Sequence, residues 1–149
     1  MVYAPLSIVA AAEAFLPSNG AVSHQIESPE MKTPPKQILL VDDEPGVRQT
    51  CSLLLGIDGH SVVEADSGLE ALAVFATDRF DLVVTDFAMP GMNGSDLARR
   101  LKQLFPSQRI LMITGFPNRL EDCQHPVDAI LPKPFSLDEL RQAVAQLLS

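Results

Sequence analysis

Cysteine is scarce in this 149-residue chain, and basic residues are outnumbered. The two cysteines, Cys51 and Cys123, fall in separate predicted helices and form no metal-ligand spacing. They read as small core or semi-exposed thiols of a reducing compartment, not as a zinc or disulfide framework. Eleven Lys and Arg stand against nineteen Asp and Glu, a net charge of −8. That balance argues against a nucleic-acid-binding surface and suggests solubility or a cationic partner. No apolar run is long enough to span a membrane. The opening "MVYAPLSIVAAAEAFLPSNGA" lacks a basic leading region, and Pro5 and Glu13 interrupt its apolar part, so it is not read as a signal peptide. The expectation is a cytoplasmic protein with no direct nucleic-acid or membrane partner.

What is present suits one ordinary globular domain: 46% of residues are apolar and 20% charged, in a chain long enough to bury a core. Residues 1–35 stand apart. They hold Pro5, Pro17, Pro29, Pro34 and Pro35 with no sustained period, and are expected to be a flexible tail with one short helix near 7–15. Met31, followed by "KTPPKQILLVDDEP", stands as an alternative start. From residue 36 to 149 apolar strands alternate with amphipathic helices. Strands are expected at 37–41, 61–65, 81–85, 109–113 and 128–131. The near-continuous runs "LVV" and "ILMI" suit parallel strands covered on both faces.

The helices carry start signals. Pro45 suits a first turn, after which Val47, Cys51, Leu54 and Leu55 keep helical spacing. Ser67 with Glu70, and Ser136 with Glu139, have the spacing of capping boxes. The third helix aligns Leu97, Leu101 and Leu104, and the last aligns Leu137, Leu140, Val144 and Leu147. A fourth, around 117–124, is short and weakly patterned. Five βα units in succession, with no internal repeat, imply a doubly wound parallel sheet of five strands with right-handed crossovers.

Polar residues follow four of the five strands: Asp42 and Asp43, then Asp86, Thr114 and Lys133. Ligands of open α/β sheets bind beyond the carboxyl ends of the strands, where strand order reverses. In the order 2-1-3-4-5, strands 1 and 3 are neighbours about 4.8 Å apart. That brings Asp43 beside Asp86, with Thr114 and Lys133 along the same edge. Carboxylates this close repel one another and resist burial unless a cation joins them.

"LVDDEP", "VVTDFAMPGMNG", "MITGF" and "LPKPF" resemble, in order and at compatible spacing, the motifs of bacterial response regulator receiver domains. The resemblance covers roughly residues 36–149 and implies the flavodoxin-like receiver fold. Carried onto these positions, it implies Asp86 as phosphoacceptor, Asp43 as a direct Mg2+ ligand and Asp42 as a ligand through water. It implies a further metal contact from the Ala88 carbonyl, phosphoryl-binding roles for Thr114 and Lys133, and a cis bond between Lys133 and Pro134. The implied partner is a histidine kinase or histidine phosphotransfer protein. The chemistry agrees: phosphoryl transfer is mostly positioning and charge neutralisation, and Mg2+ favours a few carboxylates plus retained waters.

Two features depart from the family. The position three residues before the lysine, usually aromatic, is Ile130, whose β-branched side chain cannot swing a ring inward. Thr114 and Lys133 are also separated by fewer residues than usual, the shortfall lying in the fourth helix. No output domain follows Ser149, so a stand-alone receiver is expected. Two other functions compete. A phosphatase using a second aspartate two residues after the nucleophile is disfavoured, because that position is Ala88. A degenerate receiver acting only as a protein-interaction module is disfavoured by the intact set Asp42, Asp43, Asp86, Thr114 and Lys133. His24, His60 and His125 have no partner at ligand spacing, and Arg99, Arg100 and Lys102 read as a solvated helix face.

Overall fold

A computed structural model of the chain describes residues 35–117 and 126–149. The tail expected at 1–35 lies outside the described residues except for Pro35, as do Cys123, His24, His125 and the helix expected at 117–124 except for Pro117. Strands β1 (Gln37–Val41), β2 (Ser61–Ala65), β3 (Leu82–Asp86), β4 (Ile110–Thr114) and β5 (Ala129–Pro132) form one parallel sheet. Its order is β2-β1-β3-β4-β5, the expected doubly wound arrangement. The described helices are α1 (Pro45–Ile57), α2 (Gly68–Thr77), α3 (Gly94–Leu104) and α4 (Leu137–Leu148).

Side-chain alternation along the strands divides the core in two. Ile38 and Leu40 of β1 pack with Leu55 of α1 and with Leu140 and Val144 of α4. Leu39 and Val41 pack on the other side with Phe75 of α2 and with Leu97 and Leu101 of α3. β3 and β4 are buried along their whole length because helices cover both faces. β2 and β5, at the two edges, are only partly buried.

Three strands begin and end one residue later than the sequence pattern suggests. Asp81 and Asp128 stand just before β3 and β5, their N–H groups donating to the Gln37 and Ile110 carbonyls at 2.8 and 2.9 Å, and their side chains bracket the same residues. Asp81 accepts the Gln37 N–H at 2.8 Å and Asp128 accepts the Ile110 N–H at 2.8 Å. At the other ends, Asp86 pairs with Ile113 and Thr114 with Pro132, so both polar residues are the last rungs of strands.

Helix starts follow local hydrogen bonding. Ser136 and Glu139 form the full reciprocal capping box. At α2, Ser67 accepts the Glu70 N–H, but the Glu70 carboxylate takes the Asp66 N–H one residue further back, so the predicted box is not closed. Asn93, missed by the sequence reading, caps α3 by accepting the Asp96 N–H at 2.8 Å. Leu97 and Leu101 are buried as expected, whereas Leu104, in the last turn before the cap at Phe105, remains largely exposed.

Candidate functional site

The acidic residues meet because β1 and β3 are adjacent and end at the same edge. Asp42 leaves β1 with its N–H bonded to the Ala65 carbonyl at 3.1 Å. Its carboxylate then accepts the Glu44 N–H at 2.9 Å, an Asx turn that leads into Pro45 and α1. Asp86 closes β3, and the Phe87 N–H continues the ladder to the Ile113 carbonyl at 2.8 Å. One carboxylate oxygen from each of Asp42, Asp43 and Asp86 lies within 4.8 Å of the others. Asp42 and Asp86 are only 4% and 5% exposed, too buried for a merely solvated acidic loop.

Lys133 Nζ stands 3.0 Å from Asp86 Oδ1. Its backbone N–H donates to the Thr114 carbonyl at 2.8 Å, tying the loop after β5 to the end of β4. The Lys133–Pro134 bond is cis. Thr114 is buried, and its hydroxyl accepts the Phe116 N–H at 2.9 Å, so the hydroxyl proton can be donated elsewhere. Ala88 is exposed on the loop after β3. The structure thus brings Asp42, Asp43, Asp86, Thr114 and Lys133 to one sheet edge.

Burial raises the Asp86 pKa; the Lys133 hydrogen bond and charge oppose this, and the Asp43 charge adds to it. Burial also raises the Asp42 pKa, against the hydrogen bond from Glu44 and with the charge of Asp86. For Lys133, burial of the ammonium pulls downward, but the Asp86 hydrogen bond and charge outweigh it and the net shift is upward. Two buried carboxylates with a third beside them, all hard oxygen donors, fit a divalent cation such as Mg2+.

A pH dependence follows. A carboxyl whose pKa is raised on folding binds its proton more tightly in the native state, so ionising it destabilises the fold. For metal-free protein, the Asp42 contribution worsens as pH rises from the ordinary aspartate value of 3.8 through the raised native value. Asparagine at 42 keeps the acceptor for Glu44 and removes the charge. Asp42→Asn is therefore expected to raise the metal-free melting temperature at pH 7, an advantage that shrinks on acidification. Thermal melts of both proteins in EDTA across pH 4–8 check it. Equal melting temperatures at pH 7 would refute it.

Two neighbours escaped the sequence reading. Arg48 of α1 donates from Nη1 to the Asp42 carbonyl at 2.6 Å and pairs through Nε with Glu64 of β2 at 3.0 Å. Gly94 opens α3 with its N–H on the Phe87 carbonyl at 2.8 Å. The only hint of the first was a basic residue one turn into α1, and of the second the last glycine of "MPGMNG". Cys51 is buried, and its thiol pKa is pushed up by burial and then by the Asp42 charge. His60 joins no group of potential metal ligands among the described residues. Arg99 and Lys102 pair with Asp96 and Asp128, as a solvated face would. A surface cavity of about 460 Å³ between Leu69 of α2 and Arg100 of α3 is lined by none of the five site residues.

A 2-1-3-4-5 parallel sheet with buried acids beside a lysine at its carboxyl edge fits the class of signalling domains called receivers. Residues 38–145 match the family model of the response regulator receiver domain, and the chain belongs to that family. It is 38% identical over 117 residues to the response regulator MprA of Mycolicibacterium vanbaalenii, covering 76% of this chain and 51% of that protein. It is 35% identical over 121 residues to the transcriptional regulatory protein GlrR of Escherichia coli, covering 79% of this chain and 27% of that one. The chain thus spans about half or less of the length of these curated relatives. The response regulator TrrA of Thermotoga maritima, solved in complex with Mg2+-BeF, superposes with a TM-score of 0.72 at 33% identity, covering 76% of this chain and 99% of that one. The chemotaxis response regulator CheY4 of Vibrio cholerae gives 0.72 at 29% identity, covering 77% and 100%. This chain carries a receiver domain of two-component signalling. No helix among the described residues is long and apolar enough to cross a membrane.

Proposed function

We propose that residues 36–149 form a phosphoacceptor receiver that takes a phosphoryl group onto Asp86 from a histidine kinase or histidine phosphotransfer protein in the cytoplasm. The observation that carries this reading is the juxtaposition of buried Asp86 with Asp42 and Asp43 and with Lys133, 3.0 Å from its Oδ1. Asp42 and Asp43, with the Ala88 carbonyl, would hold Mg2+ beside Asp86. When bound, Mg2+ neutralises the carboxylates and the phosphoryl oxygens near them. Asp86 attacks phosphorus with one carboxylate oxygen, forming a P–O bond as the bond to the donor's leaving group breaks. Lys133 offsets negative charge at Asp86 and on the incoming phosphoryl group, and the Thr114 hydroxyl donates to a phosphoryl oxygen. The protein catalyses only its own phosphorylation and dephosphorylation.

Incubation with Mg2+ and acetyl phosphate, followed by intact mass measurement, tests the reading. One phosphoryl adduct is expected, absent in EDTA and in Asp86→Asn. No adduct from any donor would favour a receiver that acts only by protein interaction. Steady phosphate release from many external substrates would favour a phosphatase.

Ile130, half-buried opposite Met112 in the ladder, leaves no ring at the position where the family usually couples one to the threonine. The boundary of the domain is also testable. The family match begins at residue 38, after the proline-rich stretch. Deleting residues 1–30 is expected to leave the melting temperature within about 2 °C and the phosphorylation rate within about twofold, the range of changes remote from packed features. A large loss of either would place part of the functional unit in those residues.

A further inference from the structure

We propose that Arg48 is a positioning residue for the acidic cluster, gripping the peptide from which Asp42 and Asp43 project. The proposal rests on the reading of that cluster as a Mg2+ site.

The Asp42 carbonyl belongs to the peptide group joining Asp42 to Asp43. That group is planar, so a hydrogen bond to its oxygen fixes the plane from which both side chains depart. Arg48 supplies this bond at 2.6 Å from Nη1. The same guanidinium is held from behind by Glu64, 3.0 Å from Nε. Glu64 lies in β2 opposite Leu40 of β1, so the grip is referred to the sheet and not to another loop. The Arg48 side chain is only 15% exposed, which limits competition from water. A planar fork can hold two acceptors in fixed directions; a lysine ammonium on a flexible stem cannot.

Charge and position predict opposite signs. A cation at residue 48 repels Mg2+, so a purely electrostatic role means that removing the charge tightens metal binding. A positioning role means the reverse, because losing groups that orient metal ligands typically weakens affinity 10- to 100-fold.

The test is calorimetric titration of the full chain with MgCl2, well below each variant's melting temperature. Arg48→Gln is expected to raise the Mg2+ dissociation constant about tenfold. Arg48→Lys, which keeps the charge and loses the fork, is expected to bind at least as weakly. Glu64→Gln, which frees the back of the guanidinium, should show a smaller loss in the same direction. With acetyl phosphate, the half-saturating Mg2+ concentration should rise while the rate at saturating Mg2+ stays near that of wild type. A bracing role alone would lower the melting temperature and leave the dissociation constant unmoved.

Mg2+ affinity unchanged or tighter in Arg48→Gln, or restored to wild type in Arg48→Lys, overturns the proposal. If Arg48→Gln fails to fold, Arg48→Lys and Glu64→Gln decide it by the same criterion. Wild type that binds no Mg2+, or Asp43→Ala that binds it as well as wild type, overturns the metal reading itself and the proposal with it.

Discussion

Alanine at position 94 is expected to cost the fold about 3 kcal/mol, the upper end of what overpacking costs. In a domain of this size that is a fall of roughly 10 °C in melting temperature. A Cβ there would run into the Asp86 carbonyl oxygen and sit 2.9 Å from Phe87 Cα and 2.7 Å from Met112 Sδ. The sulfur can move; the backbone at 86 and 87 cannot move without shifting the last rung of β3. Position 94 is also where α3 begins, its N–H bonded to the Phe87 carbonyl, so helix and strand must meet this closely. Asp86 would be displaced with its own peptide, and phosphorylation by acetyl phosphate should slow along with the loss of stability. Gly56→Ala is the control. Nothing lies within 4 Å of its added Cβ, and alanine in a helix is favoured over glycine by roughly 0.5–1 kcal/mol. Denaturant melts of the two variants should therefore move in opposite directions. A Gly94→Ala protein within 1 kcal/mol of wild type would mean that α3 docks less tightly on β3 than the structure has it.

Position 94 also illustrates what a linear sequence conceals. "MPGMNG" contains two glycines that look equally like turn residues. Gly91 is there for its backbone, at φ +77°, with open space around it; Gly94 is there because a neighbouring strand leaves no room. Only the packing of α3 on β3 separates the two cases. By contrast, the convergence of Asp42, Asp43, Asp86 and Lys133 was legible. Charged residues at the ends of apolar strands break a strong pattern, and the strand order fixes which ends are adjacent. The one-residue offsets of β3 and β5 were not legible, because Asp81 and Asp128 meet the neighbouring strand with side chain as well as backbone while standing just before the strand itself. Arg48 was hidden for a related reason. Its partner at the acidic cluster is a backbone carbonyl six residues earlier, and a carbonyl carries no residue type to recognise.

On the proposed reading, the phosphoryl group on Asp86 is expected to be long-lived, and Ala88→Glu or Ala88→Asn to shorten its half-life by up to about a hundredfold. Hydrolysis needs a water in line with phosphorus on the face opposite Asp86. In the family this approach is flanked by the residues two beyond the aspartate and two beyond the threonine, here Ala88 and Phe116. Neither side chain can hydrogen-bond a water. Ala88 lies exposed on the loop after β3. Phe116 follows Thr114 closely, its N–H on the Thr114 hydroxyl, while its large side chain is 53% exposed. Two effects oppose each other. The small alanine leaves water an entrance, which shortens the lifetime; the lack of any group to orient that water lengthens it. Orientation is the larger effect, because a positioned acid or base contributes about a hundredfold or more to such a step, whereas an open entrance only restores access already available in bulk water. The measurement is the decay of the intact-mass adduct after the phosphodonor is removed, in wild type and in both variants at matched Mg2+. Polar variants that hold the phosphoryl group as long as wild type does would show that side-chain orientation of water at residue 88 does not set the lifetime. Screening by the Phe116 ring would then be the next determinant to test, by Phe116→Ala.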